Sequence, residues 1–175
     1  MAEVFRAEWF DIISEDKDEL WSWLHNFFFP NVQCQNGVNW VAHYDIVPHP
    51  KKPYIKGAPM KKEVNNPEIP SGWENLVLTS ANMPSVFFGP NCSLRKLEKQ
   101  NQHYLSMRTN YRSAVFIEEE MINGPEQHKQ PLGMGGAPAM QFGSYNVDEI
   151  QDEDELAKWY RAERFPRLPV TRGMI

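Results

Sequence analysis

Apolar and polar residues alternate over positions 4–13. Phe5, Ala7 and Trp9 fall on one side and Arg6 and Glu8 on the other, the period of a half-buried strand. Ser14 follows, then the acidic run Glu15, Asp16, Asp18, Glu19. A capping side chain with carboxylates in the first turn marks a helix start. Leu20, Trp23, Leu24 and Phe27 then recur at helical spacing, and Pro30 is expected to stop the helix. After Gly37 a second alternation, 38–47, sets Val38, Trp40, Ala42, Tyr44 and Ile46 against Asn39, Val41, His43, Asp45 and Val47. Residues 75–81 predict a third strand. Leu94, Leu97, Tyr104, Leu105 and Tyr111 predict one long helix capped by Asn91 or Ser93, and 113–118 a fourth strand. Strand–helix–strand–strand–helix–strand is the order of a ferredoxin-like unit, so the expected class is α+β.

The pattern fails in two places. Residues 48–74 hold Pro48, Pro50, Pro53, Pro59, Pro67 and Pro70 among Lys51, Lys52, Lys56, Lys61 and Lys62. No periodicity survives so many prolines, and a loop this long is a surface-draped or disordered insertion, or else a lid or interface arm. Residues 123–138 form a linker. Its stretch Gly133-Met134-Gly135-Gly136 lacks the lysine of a phosphate loop and runs into Pro138 and a strand-like segment, not a helix. A further strand is expected over 139–147 and a further helix from Asp152.

That last helix repeats the first. Asp16, Asp18, Glu19, Leu20 and Trp23 match Asp152, Asp154, Glu155, Leu156 and Trp159 without a gap, at an offset of 152 − 16 = 136. Phe29-Pro30 matches Phe165-Pro166, and Gly37 matches Gly173, in the same register. The expected organisation is therefore a tandem duplication. A first unit spans 1–122, and the start of a second spans 139–175. The second copy stops where its second strand is due, so either the chain is truncated or that copy is incomplete.

The residues 154–168, Asp-Glu-Leu-Ala-Lys-Trp-Tyr-Arg-Ala-Glu-Arg-Phe-Pro-Arg-Leu, resemble the helix motif of the EthD-like proteins in the dimeric α/β-barrel superfamily. The first copy, 23–30, matches more loosely, and Asn82-Met83-Pro84-Ser85-Val86 and 111–116 are similar to the family's middle portion. The family helix usually carries a histidine just before its final apolar-Pro step. Arg164 and Phe28 stand there, and His25 lies three residues earlier. The resemblance implies ferredoxin-like units forming a dimeric α/β barrel, with helices on one sheet face and a pocket between the other face and a second sheet. On that arrangement Phe5, Ala7, Trp9, Trp40 and Tyr44 pack under helices. Arg6, Glu8, Phe10, Asn39, His43 and Asp45 point into the pocket.

Candidate chemistry follows from the strand spacing. Arg6 with Glu8, and His43 with Asp45, stand two residues apart and share a face. In a pocket, a carboxylate beside His43 would orient the imidazole for general acid–base work. His43, Asp45, Glu8 and Arg6 are the candidate catalytic residues, and the bland alternative is a solvated strand face or a dimer salt bridge. Trp159 and Tyr160 are expected to be core and helix surface. Trp21 and Trp23, two apart on a helix, cannot both face the core, so one of them is available to an interface.

Composition narrows the classes. The chain has 175 residues, 41% apolar and 23% charged, with a net charge of -5. A net acidic chain lacks the basic footprint of a nucleic-acid binder. Aromatic residues reach 13%, which implies a bulky core, an aromatic pocket or an interface. Cys34 and Cys92 form no ligand cluster, and His43, His49, His103 and His128 lack metal-ligand spacing. No metal or cofactor is expected, and no residue singles itself out as a haem ligand. Neither a signal peptide nor a membrane-spanning run is present, so the expected location is cytoplasmic. Two functions remain. One is a cofactor-free enzyme or binder for a small hydrophobic or aromatic compound, as a homodimer. The other is a non-catalytic dimerising interaction protein, with the lysine-rich loop as an arm for acidic partners.

Overall fold

The computed structural model describes residues 3–45, 74–89, 92–119, 140, 142, 150–164 and 166. The 48–74 insertion (apart from Glu74), the 123–138 linker and nearly all of the strand expected from 139 lie outside them. The chain divides into two compact units, one ending at Ile117 and the other running from Glu118 to Ile175.

In the first unit β1 (Val4–Ile12) leads through a short 3-10 turn into α1 (Lys17–Trp23). A five-residue π-helical turn, Leu24–Phe28, joins α1 to α2 (Phe29–Gln33). Then come β2 (Val38–Asp45), β3 (Asn75–Ala81), α3 (Ser93–Gln100), α4 (Gln102–Leu105) and β4 (Arg108–Ile117). The result is an α+β unit with a four-stranded sheet in the order β2-β3-β1-β4, every neighbouring pair antiparallel.

Pro30 does not stop the first helix. It has no N–H to give the carbonyl four residues back, and in a regular α-helix its ring would crowd that carbonyl. The backbone answers by widening: the Phe29 N–H reaches back five residues to the Leu24 carbonyl. The Asn31 side chain donates to the Phe27 carbonyl at 2.7 Å. The extra residue in this turn shifts the apolar stripe. Leu20, Trp23 and Leu24 are buried as the periodicity predicts, but Phe27 is 46% exposed and Phe28 takes its place in the core. Phe28 stacks on Trp23 at 4.8 Å, and Tyr104 stacks on the same indole at 4.7 Å.

The second predicted helix, unlike the first, is shorter than expected. It breaks at Asn101, and β4 begins at Arg108, so Tyr111 belongs to a strand. Cys92 occupies the N-cap of α3, with no side-chain hydrogen bond there.

The sheet faces are the reverse of the expected ones. The core on the helix side joins Val4, Phe10, Ile12, Val77 and Ala81 of the sheet to Leu20, Leu24, Phe29, Val32, Leu94 and Leu105. Ala7, Trp9, Leu76 and Leu78, with Trp40, Tyr44 and Ala114, form a second cluster on the other face. Both sides of β1 carry large apolar residues, so alternation alone cannot tell which side the helices cover. Two bulges complicate the reading further. In β2 an extra residue between Val38 and Trp40 puts Val38 under the helices and Trp40 on the far face. Asn39 donates from there to Ser80 Oγ at 3.2 Å. In β4, Asn110 and Tyr111 together lie opposite Phe10, and Asn110 takes a left-handed φ of 49°.

The second unit carries α5 (Ile150–Trp159) and another π-helical turn, Tyr160–Arg164. The two π turns begin and end at the repeat offset of 136, since 160 − 24 and 164 − 28 agree. Pro166 follows the second turn as Pro30 follows the first. Trp159, expected in a core, is 49% exposed.

Gly37 turns the chain from α2 into β2 with φ +86°, and a Cβ there would lie 2.8 Å from Val86 Cγ2 and 2.9 Å from Asn82 Oδ1. Gly37→Ala is expected to cost about 1–3 kcal/mol in urea unfolding; an unchanged midpoint would show that the turn relaxes freely.

Candidate functional site

The four sequence-predicted residues all sit on helix-side positions of the sheet, but they do not form one site. Arg6 and Glu8 belong to a buried ionic cluster. Tyr111 OH donates to Glu8 Oε1 at 2.8 Å, Arg6 Nη2 at 3.1 Å and Arg108 Nη1 at 3.2 Å. Arg6 Nη1 also reaches Glu98 Oε1 of α3 at 2.6 Å. The β4 bulge makes this convergence possible. It lets Arg108 and Tyr111, three residues apart, face the same side, and the Arg108 guanidinium lies 4.3 Å from the Tyr111 ring centre.

Charge balance fixes the protonation states. Burial alone would push the Glu8 carboxyl up, but Arg6, Arg108 and the Tyr111 hydroxyl outweigh it and hold the group below the usual carboxylate range. Burial disfavours the charged Arg6, yet Glu8 and Glu98 together keep its guanidinium firmly protonated. The Tyr111 hydroxyl is raised by burial and by the Glu8 charge. A carboxylate held below its usual range, already accepting three hydrogen bonds on one oxygen, is a poor proton acceptor. Its part is to hold β1, β4 and α3 together.

His43 has different company. Its Nε2 lies 3.0 Å from Asn75 Oδ1, and its Nδ1 lies 3.1 Å from His25 Nε2. The Asn75 amide is fixed by its own donation to the Phe10 carbonyl at 3.3 Å. With Oδ1 thus facing the imidazole, the Nε2–H of neutral His43 donates to it, and Nδ1 is left to accept from the Nε2–H of His25. A directional chain results, from exposed His25 through half-buried His43 to buried Asn75. Trp21 stands edge-on to His43 at 5.7 Å and Phe29 edge-on to His25 at 5.2 Å. Trp23 is buried in the core and half-buried Trp21 packs against the same cluster, so both tryptophans meet the core, contrary to the expectation from their spacing. Burial lowers the His43 pKa and the His25 charge adds to that, against the Asn75 hydrogen bond and Asp45, which raise it. Asp45 is exposed at the end of β2 and acts on His43 only through its charge.

His25 and Asn75 were not singled out by sequence reasoning. Helical spacing places His25 on the outer surface, and only the π turn and the strand register bring it to His43. Arg108, Tyr111 and Glu98 were missed for the same reason, because their shared face depends on a bulge. A cleft of about 670 Å³ lies elsewhere, lined by Asn36, Gly37, Asn82, Met83, Cys92 and Ser93 among others. Among the described residues no group of three or more His, Cys, Asp or Glu could hold a metal ion. No described helix is long and apolar enough to cross a membrane. Comparison with protein-family models, curated protein sequences and solved structures finds no match to the chain.

Two outcomes follow. Glu8→Gln, which leaves two buried guanidinium groups facing a neutral amide, is expected to cost about 3–5 kcal/mol. Because the folded Glu8 pKa is depressed, its contribution is present above the unfolded value of about 4.3 and is lost as pH falls below it. Urea melts from neutral to acid pH should show that loss in the native protein and a smaller one in Glu8→Gln. His43 is likewise depressed, so the unfolded chain takes up a proton first. Its contribution is present above about 6.5 and is lost as pH falls from there toward the folded value. NMR titration should place His43 below a free histidine and move it upward in His25→Ala; a midpoint unchanged by that substitution would break the coupling.

Proposed function

We propose that the protein is a ferredoxin-like unit of the dimeric α/β-barrel type, resembling the EthD-like proteins. In this reading it handles a proton on a small hydrophobic or aromatic compound without a cofactor. The strand order β2-β3-β1-β4 with antiparallel neighbours supports the fold reading. The matched π turns support the internal duplication. The observation that carries the functional reading is the chain His25–His43–Asn75.

His25 is the reacting base in this reading, and His43 positions it. With Nε2–H donated to His43, the lone pair of His25 lies on Nδ1 and can take a proton from a C–H or O–H acid. The imidazolium then formed keeps its Nε2–H on a neutral acceptor, which stabilises the charge. Returning the proton to another atom of the same compound completes an isomerisation with no net change in the enzyme. Trp21 and Phe29 supply aromatic surfaces beside the two imidazoles. Glu8 and Arg6 contribute through the fold alone, and Asp45 through its charge on His43.

The test uses 5-nitrobenzisoxazole, an aromatic compound whose ring opening reports proton abstraction by a base. The protein should open it faster than imidazole at equal concentration, and His25→Ala should lose at least tenfold of that rate, about 1.4 kcal/mol. A rate no greater than imidazole's, or one indifferent to His25→Ala, overturns the reading.

The apolar cluster on the face opposite the helices favours a second reading, a dimerising interaction protein without catalysis. Sedimentation equilibrium addresses it directly: a dimer inert toward the probe supports this reading, and a monomer at all concentrations removes it.

A further inference from the structure

His25 and His43 come from a π turn and a strand, and two of their ring nitrogens face each other at 3.1 Å. The Asn75 side chain fixes His43. Its Oδ1 takes the Nε2–H at 3.0 Å, while its Nδ2 donates to the Phe10 carbonyl at 3.3 Å. His43 Nδ1 is thereby aimed at His25 Nε2. A metal-ligating imidazole is held in the same way, its outer N–H donated to an oxygen and its other nitrogen turned to the ion.

The separation of the two facing nitrogens suits a shared ion as well as a shared proton. Two nitrogens bound to one ion at about 2.0–2.1 Å lie about 2.9 Å apart at a right angle and about 3.4 Å apart at the tetrahedral angle. The observed 3.1 Å falls between those limits. His25 is exposed and His43 half-buried, so an ion can approach the pair from solvent. Among the described residues no third His, Cys, Asp or Glu joins them, which leaves water to complete the coordination. Asp45 and Lys17 act on His43 through charges of opposite sign, and Lys17 is drawn toward Glu74 at 3.8 Å. The repeat offset puts Arg161 at the position of His25, so the second π turn does not carry this histidine.

We propose that His25 Nε2 and His43 Nδ1 form a two-pronged site for a divalent late transition-metal ion, zinc above all, held reversibly in place of the proton they share. Neutral imidazole suits zinc, copper and nickel, whereas magnesium and calcium prefer oxygen ligands. Two protein ligands with the remaining positions open to water make an exchangeable site, unlike the closed four-ligand set of a structural zinc. Both rings stay neutral when the ion binds. His25 gives up the proton on Nε2 to water and takes one from water at Nδ1, so the metal's own charge is the only charge added. His25 Nδ1 is the reacting atom of the proposed proton transfer. On that reading, on which this part of the inference rests, the bound ion switches the base off and acts as a regulator, not as a cofactor.

Isothermal titration of the full chain with zinc chloride tests the site. Zinc should bind with an affinity that falls at least tenfold in His25→Gln and in His43→Gln, and a large excess of magnesium chloride should not compete. Because His25 is exposed, His25→Gln should keep the native urea midpoint, so its loss of affinity cannot come from unfolding. Substoichiometric copper(II) should broaden the NMR ring signals of His25 and His43 before those of His49, His103 and His128. The proposal is overturned if zinc does not bind, if either variant binds it as the native protein does, or if another histidine broadens first. Zinc bound only by a dimer in sedimentation would overturn it in favour of a site between two copies of the chain. Ring opening of 5-nitrobenzisoxazole separates this site from the catalytic reading. A protein that binds zinc at the pair but never opens the probe keeps the metal site and loses the base. An active protein that stays active at saturating zinc overturns the regulatory role.

Discussion

A carboxylate taken out of water costs several kcal/mol unless its charge is answered, and Glu8 is answered three times on one oxygen atom. The donors come from β1 itself and from two positions of β4, and Arg6 passes the connection on to Glu98 of α3. This arrangement sets a demand on the backbone. Arg108 and Tyr111 can meet at Glu8 only if β4 carries an odd residue between them, and Asn110 is that residue. The bulge in turn decides where Arg112 goes, across from Trp9 on the far face. The ionic cluster, the strand irregularity and the cation on the far face are therefore one construction. The helices cover the more polar side of β1, where its charges neutralise each other.

Much of this was readable from the residues alone. The third strand was predicted and found over Asn75–Ala81, and β1 differs from its expected span by one residue. The stripe Leu20, Trp23, Leu24 is buried as its spacing requires. What failed did so for identifiable reasons. Period-2 alternation gives two faces but not which one meets the helices when both carry Phe or Trp. Bulges at Asn39 and Asn110 reverse the parity along β2 and β4, so Val38 and Trp40, expected on one face, stand on opposite ones. Tyr111 fitted a helical stripe by spacing, and its true place depends on a pairing with β1 that lies about 100 residues away in sequence and leaves no local trace.

The candidate site was legible only in part. His43 stands out on a strand, but the groups that give it chemistry are His25 on a helix and Asn75 on a neighbouring strand. A carboxylate two residues away was the obvious partner on paper. The structure supplies a neutral amide and a second imidazole instead, while burial, helped by His25 and opposed by the Asn75 hydrogen bond, biases His43 toward the uncharged, accepting form. A neutral acceptor differs from an anionic one. It orients His25 without pulling its proton away.

The π turn carries a last consequence. Residues 24–28 contain one residue more than an α-helical path needs, and Pro30 is why the surplus is kept. Deleting a residue there would close the turn to α pitch and leave Phe29 and Val32 facing inward, but would drive the proline ring into the carbonyl four positions before it. Replacing the proline alone would leave the surplus residue with nothing to relieve. Each change is awkward singly, so the surplus residue and the proline depend on one another.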